Sequence, residues 1–271
     1  TIATNCAFFP WEILNPRAEN NQGELCKNLW GYRFITNYFR IPSPGEHGLS
    51  TPEDNYKNDK PNILLSINPT INNEVKGYAR LEPDKPHLEF YSTKIQNQQL
   101  GDLFNTGNKI RESLINSTND ATMIYLYCHG TTNFPFQENS QEILEVDKGI
   151  NITPNDLRNR KHNFSRAPII FLNSCKSGVI SPLSFVTFLK MFQAKKALGI
   201  LGTTIEIPIT FAAVFGVKIL ESYLEGGFLA QALFDLRRTL LNYNNPLGLF
   251  YSLQCPTDVS APTQNSASLV P

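Results

Sequence analysis

Four short segments of this chain are almost entirely apolar, and each is too short for a helix of ordinary length. Parallel strands that are covered on both faces of a sheet have this composition. Amphipathic stretches separate the segments, which is the order expected of β–α–β units. The predicted strands are residues 63–67, 123–127, 169–172 and 197–201, with a fifth candidate at 249–253.

Helical spacing and capping signals fill the intervals between these strands. Leu100, Leu103 and Leu114 lie on one predicted helical face, although Gly101 and Gly107 interrupt it. Proline at a first helical position and paired glycines at a helix end indicate further boundaries. The later helices are predicted to start at Thr153-Pro154 and Ser181-Pro182, to span about 211–224 before Gly226-Gly227, and to span about 229–240 before Asn244-Asn245-Pro246.

The pattern predicts one α/β domain, a three-layer α/β/α fold with a mostly parallel central sheet. At 271 residues the chain is long enough to bury a full core. We expect the domain to span 1–255, with polar surface loops at 42–62 and 134–149 and a flexible tail at 256–271. The tail is rich in Ser, Thr, Pro and Ala, which is typical of an unpacked end.

Composition excludes several classes of function. The chain has 24 basic and 24 acidic residues, which argues against a nucleic-acid surface. No apolar run approaches the roughly 18 residues that cross a membrane. The five cysteines form no C-x-x-C pair and no zinc-like cluster with the four histidines, so we expect no metal and no cofactor. We expect a reduced, cytoplasmic setting.

Two of the predicted strands run directly into chemically reactive residues. The strand at 123–127 continues into Cys128-His129-Gly130, and the strand at 169–172 continues into Asn173-Ser174-Cys175. Functional groups of open α/β sheets collect at the carboxyl ends of the strands. We therefore expect the two strands to be neighbours and to bring His129 and Cys175 to one edge.

A cysteine and a histidine at such an edge form a nucleophilic pair. An imidazole activates the thiol and later protonates the leaving amine. The backbone N–H groups of Gly130 and Cys175 are candidates for the oxyanion hole. Taken singly, a cysteine at a strand end is more often a core residue, and His-Gly is often a turn. The joint pattern favours catalysis.

The chain resembles the CHAT domains, caspase-like modules that are often fused to TPR repeats. Cys175 follows His129 by 46 positions, close to the spacing of about 50 known for caspases. The resemblance covers nearly the whole chain. The matching stretches are Tyr127 to Gly130, Leu172 to Gly178, Phe9 to Leu14, Ala197 to Pro208, and Gly226 to Leu233 followed by Asn245-Pro246. Lys176 departs from the small or acidic residue that commonly follows the family's cysteine.

The resemblance implies a caspase–hemoglobinase fold and a clan CD cysteine endopeptidase. His129 would be the acid and base, and Cys175 the nucleophile. A protein substrate and a regulatory protein or TPR-containing region are the partners it implies, in prokaryotic defence or signalling. No TPR repeat is visible in the sequence itself.

Glu206 is a candidate substrate-binding residue because it follows the strand after the nucleophile. A carboxylate there would favour Lys or Arg at the cleavage position; a solvated loop glutamate is an equally good interpretation. Cys128 is expected to be a core residue, since its side chain points away from the face of His129. His162 is expected to be solvated, and His87 has no predicted partner.

Two classes of function remain open at this stage. The first is an active cysteine endopeptidase under the control of a regulator. The second is a catalytically silent caspase-like module that serves interaction or signalling. A nucleotide-binding domain has no support, because no glycine-rich phosphate-binding motif follows any strand. No G-x-S-x-G motif supports a serine hydrolase.

Overall fold

The computed structural model describes residues 2–4, 13–14, 25–35, 38–40, 60–71, 82, 84–104, 106–117, 119–133, 141–158, 162–176, 182–255 and 259–261. The strands are β1 (Ile2–Thr4), β2 (Tyr38–Arg40), β3 (Ile63–Ile67), β4 (Gly101–Phe104), β5 (Met123–Asn133), β6 (Gln141–Asp147), β7 (Ile150–Ile152), β8 (Ile169–Lys176), β9 (Gly199–Thr203) and β10 (Tyr251–Gln254). The α-helices are α1 (Trp30–Arg33), α2 (Lys85–Phe90), α3 (Gly107–Asn116), α4 (Pro154–Leu157), α5 (Pro182–Ala194), α6 (Ile209–Leu224) and α7 (Leu229–Asn242). Turns of 3-10 helix occupy Leu25–Asn28 and Leu247–Phe250, and a π-helix occupies Tyr91–Gln96.

All ten strands of the described part of the chain belong to one sheet. Their order is β1-β2-β10-β9-β8-β5-β3-β4, with β6 paired to β5 and β7 paired to β6. The strands β4, β3, β5, β8 and β9 run parallel to one another. β10 is antiparallel to β9, and β2 and β1 run in the direction of β10. The predicted mostly parallel central sheet is confirmed.

The sheet is buried on both faces, because alternate side chains of its central strands enter different cores. Tyr125 and Tyr127 of β5 join a cluster that includes side chains of α2, α6 and α7. Ile124 and Leu126 of the same strand join a second cluster with α3 and α5. Burial on both faces explains the uninterrupted apolar composition of these strands. The two enclosing helical layers confirm the three-layer α/β/α prediction.

Most predicted elements are present close to their predicted limits. β3 has the predicted limits, β5 and β8 continue past their predicted ends, and β9 starts two residues late. The fifth predicted strand becomes a 3-10 turn followed by β10. α4 is a single turn with the expected capping box, in which Thr153 and Asp156 satisfy each other's backbone N–H groups. α5, α6 and α7 lie where the sequence predicts them.

The helix predicted around residues 100–114 is wrong in its first part. Gly101–Phe104 is the edge strand β4, paired in parallel with β3, and α3 begins at Gly107. Gly101 has a φ of 150°, and a Cβ there would lie 1.9 Å from the carbonyl oxygen of Ile63. The absence of a side chain permits this close approach of two backbones. The spacing of the apolar residues in the sequence did not indicate this edge strand.

The polar insertion predicted at 134–149 is not a loop over its second half. Residues 141–147 form β6, because Ile143, Leu144 and Val146 are buried against the rest of the fold. Charged residues between them made this strand look like a surface loop. Residues 134–140 lie outside the described part of the chain, as do 42–59 of the other predicted loop.

Part of the predicted tail packs on the domain. Val259 and Ala261 are buried, and the carbonyl of Val259 accepts a hydrogen bond of 2.9 Å from the N–H of Leu229. That bond satisfies a donor at the start of α7, which would otherwise lack an intrahelical partner. The expected boundary at 255 is therefore wrong for residues 259–261. Residues 256–258 and 262–271 lie outside the described residues.

Candidate active site

β5 and β8 lie side by side, and their carboxyl ends carry the two predicted catalytic residues. The parallel register pairs Tyr127 with Asn173 and His129 with Cys175. Neighbouring strands lie about 4.8 Å apart, and directly paired residues place their side chains on the same face. The prediction that these strands are neighbours ending at one edge is confirmed. We call this edge the carboxyl edge; the catalytic roles of His129 and Cys175 stay predictions.

His129 lies on the face of the sheet that α6 covers. Tyr125 and Tyr127, which precede it on the same face of β5, belong to the cluster packed by α6. His129 is only 1% exposed. The imidazole of His129 is therefore shielded from solvent. The backbone of Cys175 is described, and the register pairs it directly with His129.

Asn68 lies where β3 ends and β6 takes its place beside β5. Its N–H donates to the carbonyl of Tyr127 (2.8 Å), and its side-chain Nδ2 donates to the carbonyl of Glu145 (2.8 Å). Its Oδ1 accepts from the N–H of Thr70 (2.9 Å). The buried side-chain amide of Asn68 thus joins the end of β3 to β6, two strands that do not pair with each other. The Asn-Pro-Thr turn that follows an apolar strand was the only sequence signal for this junction.

Glu145 of β6 is the other cross-strand neighbour of His129. The antiparallel register pairs the two residues directly, which places their side chains on one face. The Oε1 atom of Glu145 accepts a hydrogen bond of 3.1 Å from the N–H of Gly149 in the β6–β7 turn. Sequence reasoning missed this carboxylate because it treated the segment as a loop.

Gly130 and Cys128 flank His129 in β5. Gly130 is buried and lies between Lys176 of β8 and Leu144 of β6 in the register. The proposed oxyanion role of its N–H stays a prediction. Cys128 is 1% exposed and belongs to the cluster on the face opposite His129, as predicted for a core residue.

The strand β9 and the loop after it complete the carboxyl edge. The hydroxyl of Thr203 donates to the carbonyl of Ser174 (3.3 Å), the residue before Cys175. The N–H of Thr204 donates to the carbonyl of Phe250 (2.8 Å), which fixes the base of the loop. Glu206 is exposed in this loop, between β9 and α6. Its position at the same edge agrees with a substrate-binding role, which stays a prediction.

A buried polar network lies directly beneath the predicted catalytic pair. Asn173 Nδ2 donates to the hydroxyl of Tyr125 (2.7 Å) and to the carbonyl of Ala212 (2.7 Å). Asn173 Oδ1 accepts from the hydroxyl of Tyr251 (2.7 Å). The hydroxyl of Tyr125 lies 2.5 Å from Nε2 of His87. Since Tyr125 already accepts from Asn173, its own hydrogen is available to His87.

His87 is fully buried, contrary to the expectation that it lies in a polar segment without a partner. Its ring packs on Tyr127, with centroids 4.3 Å apart, and its partner hydroxyl belongs to Tyr125. Both tyrosines come from a strand that is distant in sequence. Nothing around residue 87 in the sequence predicts this contact. His162, by contrast, is exposed as predicted.

The fold and this edge define a mixed α/β protein with a cysteine and a histidine in direct register at the ends of adjacent parallel strands. Comparison with protein-family models and with curated proteins found no match. The chain is similar to two solved structures of the Saccharomyces cerevisiae separase–securin complex. The first has a TM-score of 0.48 and the second 0.45, each with 12% identity and 91% of this chain covered.

The chain spans only 15% and 14% of the two chains that it matches in those structures. The likeness describes the path of the backbone, and the chemistry of the site rests on this chain's own residues. Within the described ranges, no helix combines the length and the apolar composition needed to cross a membrane.

Proposed function

We propose that this chain is a caspase-like cysteine endopeptidase of the CHAT type with a His129–Cys175 dyad. The observation that carries the proposal is the direct parallel register of the two residues at the carboxyl edge. A cysteine protease needs its thiol and imidazole on one side of a shared surface, within hydrogen-bond reach. Direct register on adjacent strands brings the backbones of the two residues together, which supports the proposed pair.

The reaction follows from the roles of the pair. His129 takes the proton of the Cys175 thiol, and the thiolate attacks the carbonyl carbon of the scissile peptide bond. The N–H groups of Gly130 and Cys175 stabilise the oxyanion of the tetrahedral intermediate. His129 then gives its proton to the leaving amine, and an acyl-enzyme forms. Water, deprotonated by His129, hydrolyses that thioester and restores the thiol.

Burial of His129 supports control of the enzyme by a protein partner. An imidazole that is 1% exposed cannot meet a substrate until the covering face moves. Opening of this kind is a common switch in enzymes whose sites close over the chemistry. We propose a regulatory protein, of the TPR type that the CHAT resemblance implies, as the component that opens the site.

Glu206 is the proposed selector of the cleavage residue. It is exposed in the loop between β9 and α6, one strand away from Cys175 at the same edge. A carboxylate in a substrate pocket pairs with a Lys or Arg side chain. The substrate class is therefore a protein with a basic residue before the scissile bond.

The alternative is a catalytically silent interaction module with the same fold. The same burial of His129 is the observation in its favour, because a module without chemistry has no need to open. The two functions differ in one property: only the protease needs a Cys175 thiol whose reactivity depends on His129.

A fluorogenic peptide library with varied cleavage residues, with and without candidate regulators, tests the proposal. Cleavage should disappear in Cys175→Ala and His129→Ala and persist in Cys128→Ala, which removes a thiol from the opposite face. Glu206→Gln should weaken a Lys or Arg preference, whereas Glu225→Gln, at another exposed position, should not. No cleavage together with a Cys175 thiol indifferent to His129 would favour the silent module.

A further inference from the structure

Two polar side chains tie the predicted catalytic strands to the first turn of α6. The hydroxyl of Tyr127 donates to the carbonyl of Ile209 (3.0 Å). The amide Nδ2 of Asn173 donates to the carbonyl of Ala212 (2.7 Å). Tyr127 and Asn173 are direct partners in the register, and each lies two residues before a predicted catalytic residue on the same face. The two strands therefore share one anchor immediately below the site.

Asn173 uses all of its side-chain hydrogen-bonding groups in the fold. It is fully buried, donates through Nδ2 to two partners and accepts through Oδ1 from Tyr251 of β10. A buried amide held at both ends has one orientation, because each alternative leaves a polar atom unsatisfied. Asn173 thus fixes β8 against β5, β10 and α6 together.

The sequence of α6 is adapted to this contact. A Cβ added to Gly216 would lie 2.4 Å from the hydroxyl oxygen of Tyr125 and 2.5 Å from Nδ2 of Asn173. Glycine inside a helix costs about 1 kcal/mol relative to alanine. Its presence at this position is explained by the close approach of the helix to the polar network.

We propose that Tyr127 and Asn173 are positioning residues that align His129 with Cys175 through their shared anchor on α6. The inference rests on the proposed dyad. Neither residue touches substrate; each fixes the strand end that carries a catalytic residue. A displacement of about 1 Å between reacting groups costs up to about 100-fold in rate. Loss of one of these hydrogen bonds to α6 should therefore lower the reactivity of the His129–Cys175 pair strongly and the stability of the fold only slightly.

The test measures alkylation of Cys175 by iodoacetamide as a function of pH, with the modified cysteine identified by mass spectrometry. This readout needs no substrate and reports how far the imidazole activates the thiol. Tyr127→Phe removes the hydroxyl that donates to the carbonyl of Ile209 in α6. Tyr251→Phe removes the hydroxyl that donates to Oδ1 of Asn173. Both variants should slow alkylation of Cys175 at neutral pH by at least about tenfold. The pH at which the alkylation rate is half-maximal should rise toward that of a free cysteine thiol. In peptide cleavage, kcat should fall while KM changes by less than about twofold.

Tyr223→Phe is the matched control, because it removes a buried hydroxyl from the last turn of the same helix. It should keep the wild-type profile. Thermal unfolding of each variant separates a loss of alignment from a loss of fold. Asn173→Ala is the more severe change, and the two hydroxyl variants decide the question if it fails to fold.

The outcomes separate the inference from the proposed function. If His129→Ala alters the profile but folded Tyr127→Phe and Tyr251→Phe do not, the positioning role is wrong and the dyad stands. If His129→Ala leaves the profile unchanged, the dyad and the positioning role both fail.

Discussion

The Nζ atom of Lys195, just past the end of α5, donates a hydrogen bond of 2.7 Å to the carbonyl oxygen of Ile115 in the last turn of α3. It also donates to the carbonyl of His162 (3.0 Å) and to the hydroxyl of Ser117 (3.1 Å). Lys195 is fully buried. Burial lowers the pKa of its ammonium group from the usual 10.5. Three neutral oxygens therefore hold this cation at a helix end, where the last carbonyls lack intrahelical partners.

Lys195→Met should lower the free energy of unfolding at neutral pH by about 2–3 kcal/mol, because buried carbonyls lose a charged donor. The free energy of unfolding of the wild type should also depend on pH in a way that the Lys195→Met variant does not share. The unfolded chain binds the lysine proton more tightly, so wild-type stability gains from this group as pH rises from the lowered pKa toward 10.5. Urea unfolding at several alkaline pH values measures both effects. Exposed Lys196→Met is the control, and an equal loss there would contradict the role of burial.

Asp156 should stabilise the fold at neutral pH and lose that contribution in acid. Burial raises the pKa of its carboxyl, but hydrogen bonds from Thr153 and the Arg111 guanidinium outweigh burial and hold the pKa below 3.8. Asp156→Asn should cost about 1 kcal/mol at pH 7. The difference from wild type should shrink as pH falls through the lowered pKa. Denaturant unfolding across this range tests it, with exposed Glu112→Gln as the control that should show no such trend.

Gly101→Ala should disrupt the pairing of β4 with β3. The new Cβ would overlap the carbonyl of Ile63, and the φ of 150° is unfavourable for alanine. We expect a loss of at least about 2 kcal/mol in the free energy of unfolding, since strain and a lost strand pair combine. Hydrogen exchange should show faster exchange in β3 and β4 than in β9. Wild-type protection in β4 of the variant would contradict the prediction.

Gly216→Ala should destabilise the protein although alanine favours helices. Alanine gains about 1 kcal/mol over glycine in a helix. Its methyl group would also push α6 away from Tyr125 and Asn173, and overpacking of this kind typically costs about 1–3 kcal/mol. We expect the cost to exceed the gain. Thermal unfolding measures the net loss. Val214→Ala, at an exposed position of the same helix, should change stability by less than about 0.5 kcal/mol. A more stable Gly216→Ala protein would show that the helix is free to move away.

The sheet was predictable where strands are buried on both faces, because burial alone dictates their composition. β3, β5 and β8 follow this rule, and the register of the last two gives the His129–Cys175 pairing. β4 and β6 were not predictable in the same way. β4 depends on a glycine that lets two backbones approach, and β6 carries charged residues among its buried ones.

The hydrogen bonds that support the predicted site were harder to predict than the register of its two candidate residues. His129 and Cys175 follow apolar strands, and a reactive residue at the end of such a strand can be recognised from the sequence alone. The partners of Asn173 come from Tyr125, Tyr251 and Ala212, at distances of 48, 78 and 39 positions along the chain. Such contacts follow from which strands and helices become neighbours. No local pattern in the sequence encodes them.

The direct pairing of β5 with β8 would make the proposed His129–Cys175 chemistry sensitive to a register error of one residue. A slip of β8 by a single position would place Ser174 or Lys176 beside His129 and turn Cys175 toward the opposite face. The same slip would move Asn173 away from Tyr125 and leave its amide unsatisfied among apolar side chains. The buried amide thus opposes misregistered chains during folding. If the proposed dyad is correct, the reactivity of the Cys175 thiol reports correct strand alignment as well as chemistry.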